Sequence, residues 1–408
     1  MSVAAARLDE FEQKFFGGDR EAAMGVLSQF LDDGINFGPG SALAEVVQRV
    51  DHRHAGFAAY LALAGGALVE NGLPAGALGR ALVPPLTRAL VDARRMLDHV
   101  APLPDAEDED DEEEDGEEGA HEHDGHIHSH ADGDHDHDHD HDHDDDHADH
   151  ILIGRKAVDR AFLDDLAERD VAAIQAWFSL DVWYRPAVAT WTRDPAVLRE
   201  IQDNADLRGA LAALGNHTET SHWLSLLIET VFEGRFVVLV PELDEAYALT
   251  ADGLGDMGQL YTLLSQLLRD PLERLGVSDF ASKEVLAVMR GDGPQRGEGA
   301  FGCQFHCYPI QATDPATGLP RDNVHEWLAP GGTGTHSLPA DFLPGTLPPI
   351  DGSRVLVLAG PKSPGMRFER VIPAVRTFDA LQLRVTPAKQ LAPDEARRWF
   401  AIAKQHAA

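Results

Sequence analysis

Cysteine is scarce in this chain of 408 residues: there are two, Cys303 and Cys307. That number excludes a disulfide framework, and four residues apart on a strand their Cα atoms would lie about 13 Å from each other, too far for a bridge. A reducing, cytoplasmic setting is the expectation. Long apolar runs are lacking too. The most apolar stretch, 55–69, is shorter than the roughly 20 residues of a spanning helix and carries small residues and glycines, so it reads as a buried helix. Arg7, Asp9, Glu10, Glu12 and Lys14 leave no apolar core for a signal peptide near the start. No membrane partner is expected.

Basic residues are also few, 34 Lys and Arg against 69 Asp and Glu, for a net charge of −35. The imbalance is local: 105–150 holds 24 acidic residues and no basic one, which leaves 45 acids against 34 bases, or −11, for the rest. With no basic stripe to neutralise phosphates, nucleic acid is excluded as a partner. Two catalytic signatures are missing as well. The glycine-rich 331–336 (Gly-Gly-Thr-Gly-Thr-His) has no Lys-Ser/Thr ending of a phosphate loop, and no Gly-x-Ser-x-Gly elbow occurs.

What is present in abundance is histidine, and it is concentrated. Twelve of the 21 histidines fall within 121–150: His121, His123, His126, His128, His130, His135, His137, His139, His141, His143, His147 and His150. Most alternate with aspartate, as in 134–144, behind an acidic stretch at 105–118. So polar and like-charged a segment, 104–150, cannot bury enough apolar surface to offset its ordering entropy, and the expectation is disorder in the metal-free state. Neutral imidazole is a preferred ligand for Zn²⁺, Ni²⁺, Co²⁺ and Cu²⁺, and neighbouring carboxylates add oxygen ligands. The array therefore points to divalent transition-metal binding, with Zn²⁺ or Ni²⁺ the first choice in a cell. The competing reading is a passive spacer that grew by repeat expansion.

On either side the chain has the apolar content of folded domains. Residues 1–103 show helical periodicity, as in Phe11 and Phe15, then Met24, Leu27, Phe30 and Leu31, and predict an all-α domain of about five helices. Its predicted breaks are Gly17-Gly18 with Asp19 as N-cap, a loop over 33–40, and the Asn71-Gly72-Leu73-Pro74 turn; Pro84-Pro85 should split or kink the helix running to Val100. Residues 151–408 predict an α+β domain, helical over 151–233 and mixed over 234–408. Strands are expected at 235–241, 283–289, 301–310, 354–358 and 381–385, with helices at 258–268 and 393–405. The fold class is thus α+β, with 104–150 as a linker.

Two weaker metal candidates lie outside the array. Cys303, His306 and Cys307 are residue types that bind Zn²⁺, but on a regular strand His306 faces away from the thiols, which favours cysteines serving as small core residues. His217 and His222 flank Glu219 in a His-x-Glu-x-x-His pattern. A helix would set those histidines about 140° apart, so Asn216 and Glu219 are better read as a capping box.

The stretches 251–264 (Ala-Asp-Gly-Leu-Gly-Asp-Met-Gly-Gln-Leu-Tyr-Thr-Leu-Leu), 338–344 (Leu-Pro-Ala-Asp-Phe-Leu-Pro), 355–361 (Val-Leu-Val-Leu-Ala-Gly-Pro) and 391–399 resemble a group of uncharacterised proteins from high-GC bacteria. The resemblance covers roughly the last 190 residues and implies a folded domain there without an assigned activity. The sequence therefore supports a bacterial, cytoplasmic, non-catalytic metal-binding or metal-buffering protein. The alternative is an enzyme or protein-partner-binding protein whose active surface lies in the C-terminal domain.

Overall fold

A computed structural model describes residues 2–103, 151–310, 343–361 and 370–407. The twelve histidines of the array and the glycine-rich 331–336 lie outside the described residues.

The N-terminal part is helical, as its periodicity requires: α1 (Val3–Phe16), α2 (Arg20–Phe37), α3 (Pro39–Arg49), α4 (Ala55–Glu70) and α5 (Gly76–Val100). Asp19 caps α2, its carboxylate accepting the Ala22 N–H at 3.1 Å. The loop expected over 33–40 shrinks to Gly38, because α2 continues to Phe37 and Pro39 already stands in the first turn of α3. Pro84 and Pro85 do not split α5, which is one helix with both prolines inside it. The two backbone hydrogen bonds they forfeit are outweighed by a face that buries Leu78, Leu82, Leu86, Leu90 and Met96.

Beyond the array a short hairpin, β1 (Ile151–Ile153) and β2 (Lys156–Val158), leads into α6 (Arg160–Trp191), then α7 (Pro195–Gln202), α8 (Ala205–Leu214) and α9 (Glu219–Ile228). These helices join the core of the first five: Phe57, Leu61 and Leu82 share one cluster with Trp183, Trp191, Leu207 and Leu224. Gly66 lets α4 and α6 meet, since a Cβ there would lie 2.9 Å from the Pro186 Cα. Trp191 donates its indole N–H to the Gly79 carbonyl at 3.0 Å, joining α6 to α5. The hairpin is fastened by a smaller cluster of Met96, Val100, Ile153, Val158, Leu166 and Ala173.

α6 bends at Asp170, whose φ and ψ are −149° and 66°. There the Asp170 carboxylate takes both prongs of Arg95, at 2.9 and 3.0 Å, and accepts the Ala173 N–H at 3.2 Å, so it restarts the helix as an internal N-cap. The Arg95 guanidinium, with help from His99 at 3.2 Å, holds this carboxyl far below the ordinary range against the opposing effect of burial.

The C-terminal part is mixed α/β. β3 (Gly234–Val240) pairs antiparallel with β4 (Glu245–Asp252) and parallel with β7 (Arg354–Ala359), and β6 (His306–Pro309) runs antiparallel on the far side of β7. The short β9 (Arg384–Val385) and β10 (Lys389–Gln390) edge β4, while β5 (Arg296–Cys303) and β8 (Arg370–Val375) form a separate ribbon. Helices cover both faces of the main sheet. Phe236, Val238 and Val240 pack into the core with Leu260 and Leu264 of α10 (Met257–Leu267), and Val237 and Leu239 pack with Ala396 and Ala403 of α13 (Pro393–Ala407). Burial on both sides explains why β3 reads as an unbroken apolar run. α11 (Arg269–Arg274) completes the first face.

Three expected strands come out differently. Residues 283–289 form a helix, α12 (Lys283–Arg290): Ser282 caps it through the Val285 N–H at 3.2 Å, Gly291 closes it with φ of 85°, and Val285, Val288 and Met289 make a helical stripe. The run 301–310 is broken at Gln304-Phe305, so its halves belong to different sheets. Of 381–385 only Arg384 and Val385 pair with a strand, because Leu381 is drawn into the helical core. No helix among the described residues is long and apolar enough to cross a membrane.

Candidate functional site

Cys303 closes β5, and His306 and Cys307 open β6; all three are buried within the α/β part. The Cys303 Sγ lies 3.4 Å from the Phe305 carbonyl, and burial pushes the Cys307 thiol well above its ordinary range, with Cys303 adding to the shift. A buried, protonated thiol behaves as a small apolar group and makes a poor metal ligand. Among the described residues, no three His, Cys, Asp or Glu side chains are brought together in an arrangement that could hold a metal ion. The candidate trio is therefore not assembled into such a group.

The His-x-Glu-x-x-His pattern also resolves into helix architecture. α9 is capped by Thr218, whose hydroxyl accepts the Ser221 N–H at 3.1 Å while the Thr218 N–H reaches the Ser221 hydroxyl at 3.2 Å. This capping box sits two residues beyond the expected Asn216–Glu219 pair, because serine can close the box in place of glutamate. His222 is exposed on α9, with its ring 5.8 Å from that of Trp223.

The most developed concavity was invisible to sequence reasoning. A cleft of about 550 Å³ opens where α4, α6 and α9 face the segment 377–380 that follows β8. Its floor is made by Gly66 and Ala67 of α4 with Pro186 and Ala189 of α6. Aromatic walls rise from it: Tyr184 and Trp223 lie nearly parallel at 6.4 Å, and Phe378 meets Trp223 edge-on at 6.3 Å. At the mouth stand Arg185, Arg193, Glu70 and Asp379. The Arg185 Nε donates to the Tyr184 hydroxyl at 3.1 Å, and its guanidinium lies 5.7 Å from the Tyr184 ring centroid.

The far wall is held firmly. Gln295 donates to the carbonyls of Arg376 and Thr377 at 3.2 and 3.3 Å, and accepts the Arg376 N–H through its own carbonyl at 2.9 Å. The Thr377 hydroxyl donates to the half-buried Asp256 carboxylate at 2.6 Å, while Phe378 is anchored in the helical core. Arg376, almost fully buried, pairs with Asp379 at 3.2 Å. Compared with protein-family models, curated proteins and solved structures, the chain matches none.

Proposed function

We propose that this protein binds and buffers divalent transition-metal ions through the histidine and aspartate array of 121–150, in a cytoplasmic setting. The observation that carries the reading is the density of ligands: twelve imidazoles within thirty residues, most of them next to a carboxylate. His-x-His spacing lets two rings meet one ion, and overlapping pairs let an ion pass between sites, which suits modest individual affinity, high capacity and easy release. By intrinsic affinity such an array ranks Cu²⁺ first, with Ni²⁺ and Zn²⁺ below, and availability then makes Zn²⁺ or Ni²⁺ the cargo.

The support from the described residues is a matter of attachment. Leu103, the last residue before the array segment, gives its carbonyl to the Lys156 ammonium at 2.7 Å, and Ile153, just after it, pairs with Lys156 across the hairpin. Both ends of the segment are thus tied to one place on the helical part.

The test is elemental analysis and calorimetric titration of untagged protein grown with excess Zn²⁺ or Ni²⁺, beside a variant lacking 119–150. The full chain should hold several equivalents, and the deletion should lose them together with any metal-tolerance phenotype while keeping its helical circular dichroism. Metal-free protein from replete cells, or a phenotype untouched by the deletion, would move the function to the folded parts.

A further inference from the structure

We propose that the cleft between the helical part and the 377–380 segment binds a small carboxylate with an aromatic or bulky apolar body. The proposal does not rest on metal binding, since every residue it uses lies outside the array. At about 550 Å³ the cleft matches the size of small-molecule sites, which favour the seam between structural units and combine apolar walls with a few polar groups. The parallel Tyr184 and Trp223 rings with Phe378 at their edge offer a flat aromatic surface against which a ring or branched chain can lie.

Charge decides the class of headgroup. Outside 105–150 the chain has 45 acidic residues against 34 basic ones, so arginines are expected to find carboxylates, and many here do. Yet Arg185 on α6 and Arg193 in the turn just after it, both at the mouth, have no carboxylate within salt-bridge distance among the described residues. Arg193 spends one N–H on the Ala189 carbonyl at 3.0 Å and Arg185 one on Tyr184, which leaves donors of both guanidinium groups for an incoming anion. On the opposite wall the charge of Asp379 is already taken by Arg376, while Glu219 and Glu70 act on Arg185 only through space, and neither forms a salt bridge with it. The unused donors of the two guanidinium groups suit one negative group, and guanidinium donors bind carboxylates in two-pronged fashion. Because the hydrogen bonds of Gln295, Thr377 and Arg376 fix the far wall in advance, little ordering is needed when a ligand enters.

The experiment is calorimetric titration of the full-length protein with indole-3-propionate and with its neutral amide at low salt, alongside Arg185→Gln, Arg193→Gln, the cleft-filling Ala67→Phe, and Arg80→Gln as a remote control. We expect one saturable site for the carboxylate and about tenfold weaker binding of the amide, the factor set by about 1.4 kcal/mol for a charge-assisted contact. Each arginine change at the mouth should weaken the carboxylate about fivefold or more and leave the amide unmoved. Arg80→Gln should match the parent chain. Should Ala67→Phe fail to fold, the two glutamine variants, whose sites are exposed, still decide the matter. Absence of saturable carboxylate binding, equal affinity for acid and amide, or parent-like affinity in both arginine variants would overturn the assignment.

Discussion

Replacing Asp170 tests how the helical part is held together. The carboxylate performs two tasks at the bend of α6: it receives both prongs of Arg95 and caps the restarted helix through the Ala173 N–H. Losing a cap costs about 1 kcal/mol. The ion pair adds about 1 to 2 kcal/mol, the value of hydrogen bonds to charged groups reduced for an Arg95 side chain that is 42% exposed. Asp170→Ala should therefore destabilise by about 2 to 3 kcal/mol, and Asp170→Asn, which keeps an acceptor for the cap, by about 1 to 2 kcal/mol. At about 2 to 4 °C per kcal/mol, the alanine variant should melt about 5 to 10 °C lower when followed by circular dichroism at 222 nm. The pH dependence follows from the sign of the shift. Because the folded carboxyl titrates below its unfolded value, its stabilisation is fully present above pH about 4 to 5 and is lost as pH falls toward the folded value. The gap between the parent chain and Asp170→Asn should thus hold steady from neutral pH to about 5 and close in stronger acid. Alanine and asparagine variants that both melt with the parent chain would refute the two-task account.

Other expectations follow from single observations. His54 caps α4 by accepting the Phe57 N–H on Nδ1 at 3.2 Å, and burial, aided by His52 and Arg20, lowers its pKa. The unfolded chain then takes up the proton first, so stability should fall as pH drops through about 6.5, and His54→Asn should flatten that slope in chemical denaturation at pH 7.5 and 5.5. Both cysteines are buried, so a thiol reagent such as dithionitrobenzoate should titrate neither in the native protein and both after unfolding; fast native labelling would contradict the packing. A Cβ at Gly345 would lie 1.9 Å from the Glu229 carbonyl oxygen, so Gly345→Ala should cost at least about 2 kcal/mol by denaturant midpoint. Metal uptake by the array should weaken below pH about 6.5, as protons compete for imidazole in a field of carboxylates, which potentiometric titration will show.

The elements most legible from sequence are those whose signal is local. The Asp19 cap, the turn at 71–74, the apolar run of β3 and the acidic first turn of α13 each depend on a few adjacent residues. α12 reads as a strand because Val285 and Val288 are β-branched and, with Leu286 and Met289, make an apolar run in a short window; the Ser282 cap with the Gly291 terminator outweighs that composition. α5 runs through its two prolines because the interface with α6 along its length, which no window of α5 contains, compensates for them. The cleft is the extreme case. Its residues come from α4, α6, α9, the turn before β5 and the segment after β8, and no spacing rule joins Ala67 to Tyr184, Trp223 and Phe378. Arg185 and Arg193, without a salt-bridge partner among the described residues, are a signal only once the positions of the carboxylates are known.

The clamp formed by Leu103, Lys156 and the hairpin has a consequence for how such a chain can change over generations. The entropic cost of closing a loop grows only logarithmically with its length, about 0.6 kcal/mol per doubling. With its two ends fastened to the same cluster of Met96, Val100, Ile153 and Val158, the number of His-Asp repeats between them can be halved or doubled without altering a residue of the bundle core. On the proposed metal-binding reading, ion capacity then becomes a heritable quantity set by repeat number, separable from the mutations that govern whether the protein folds.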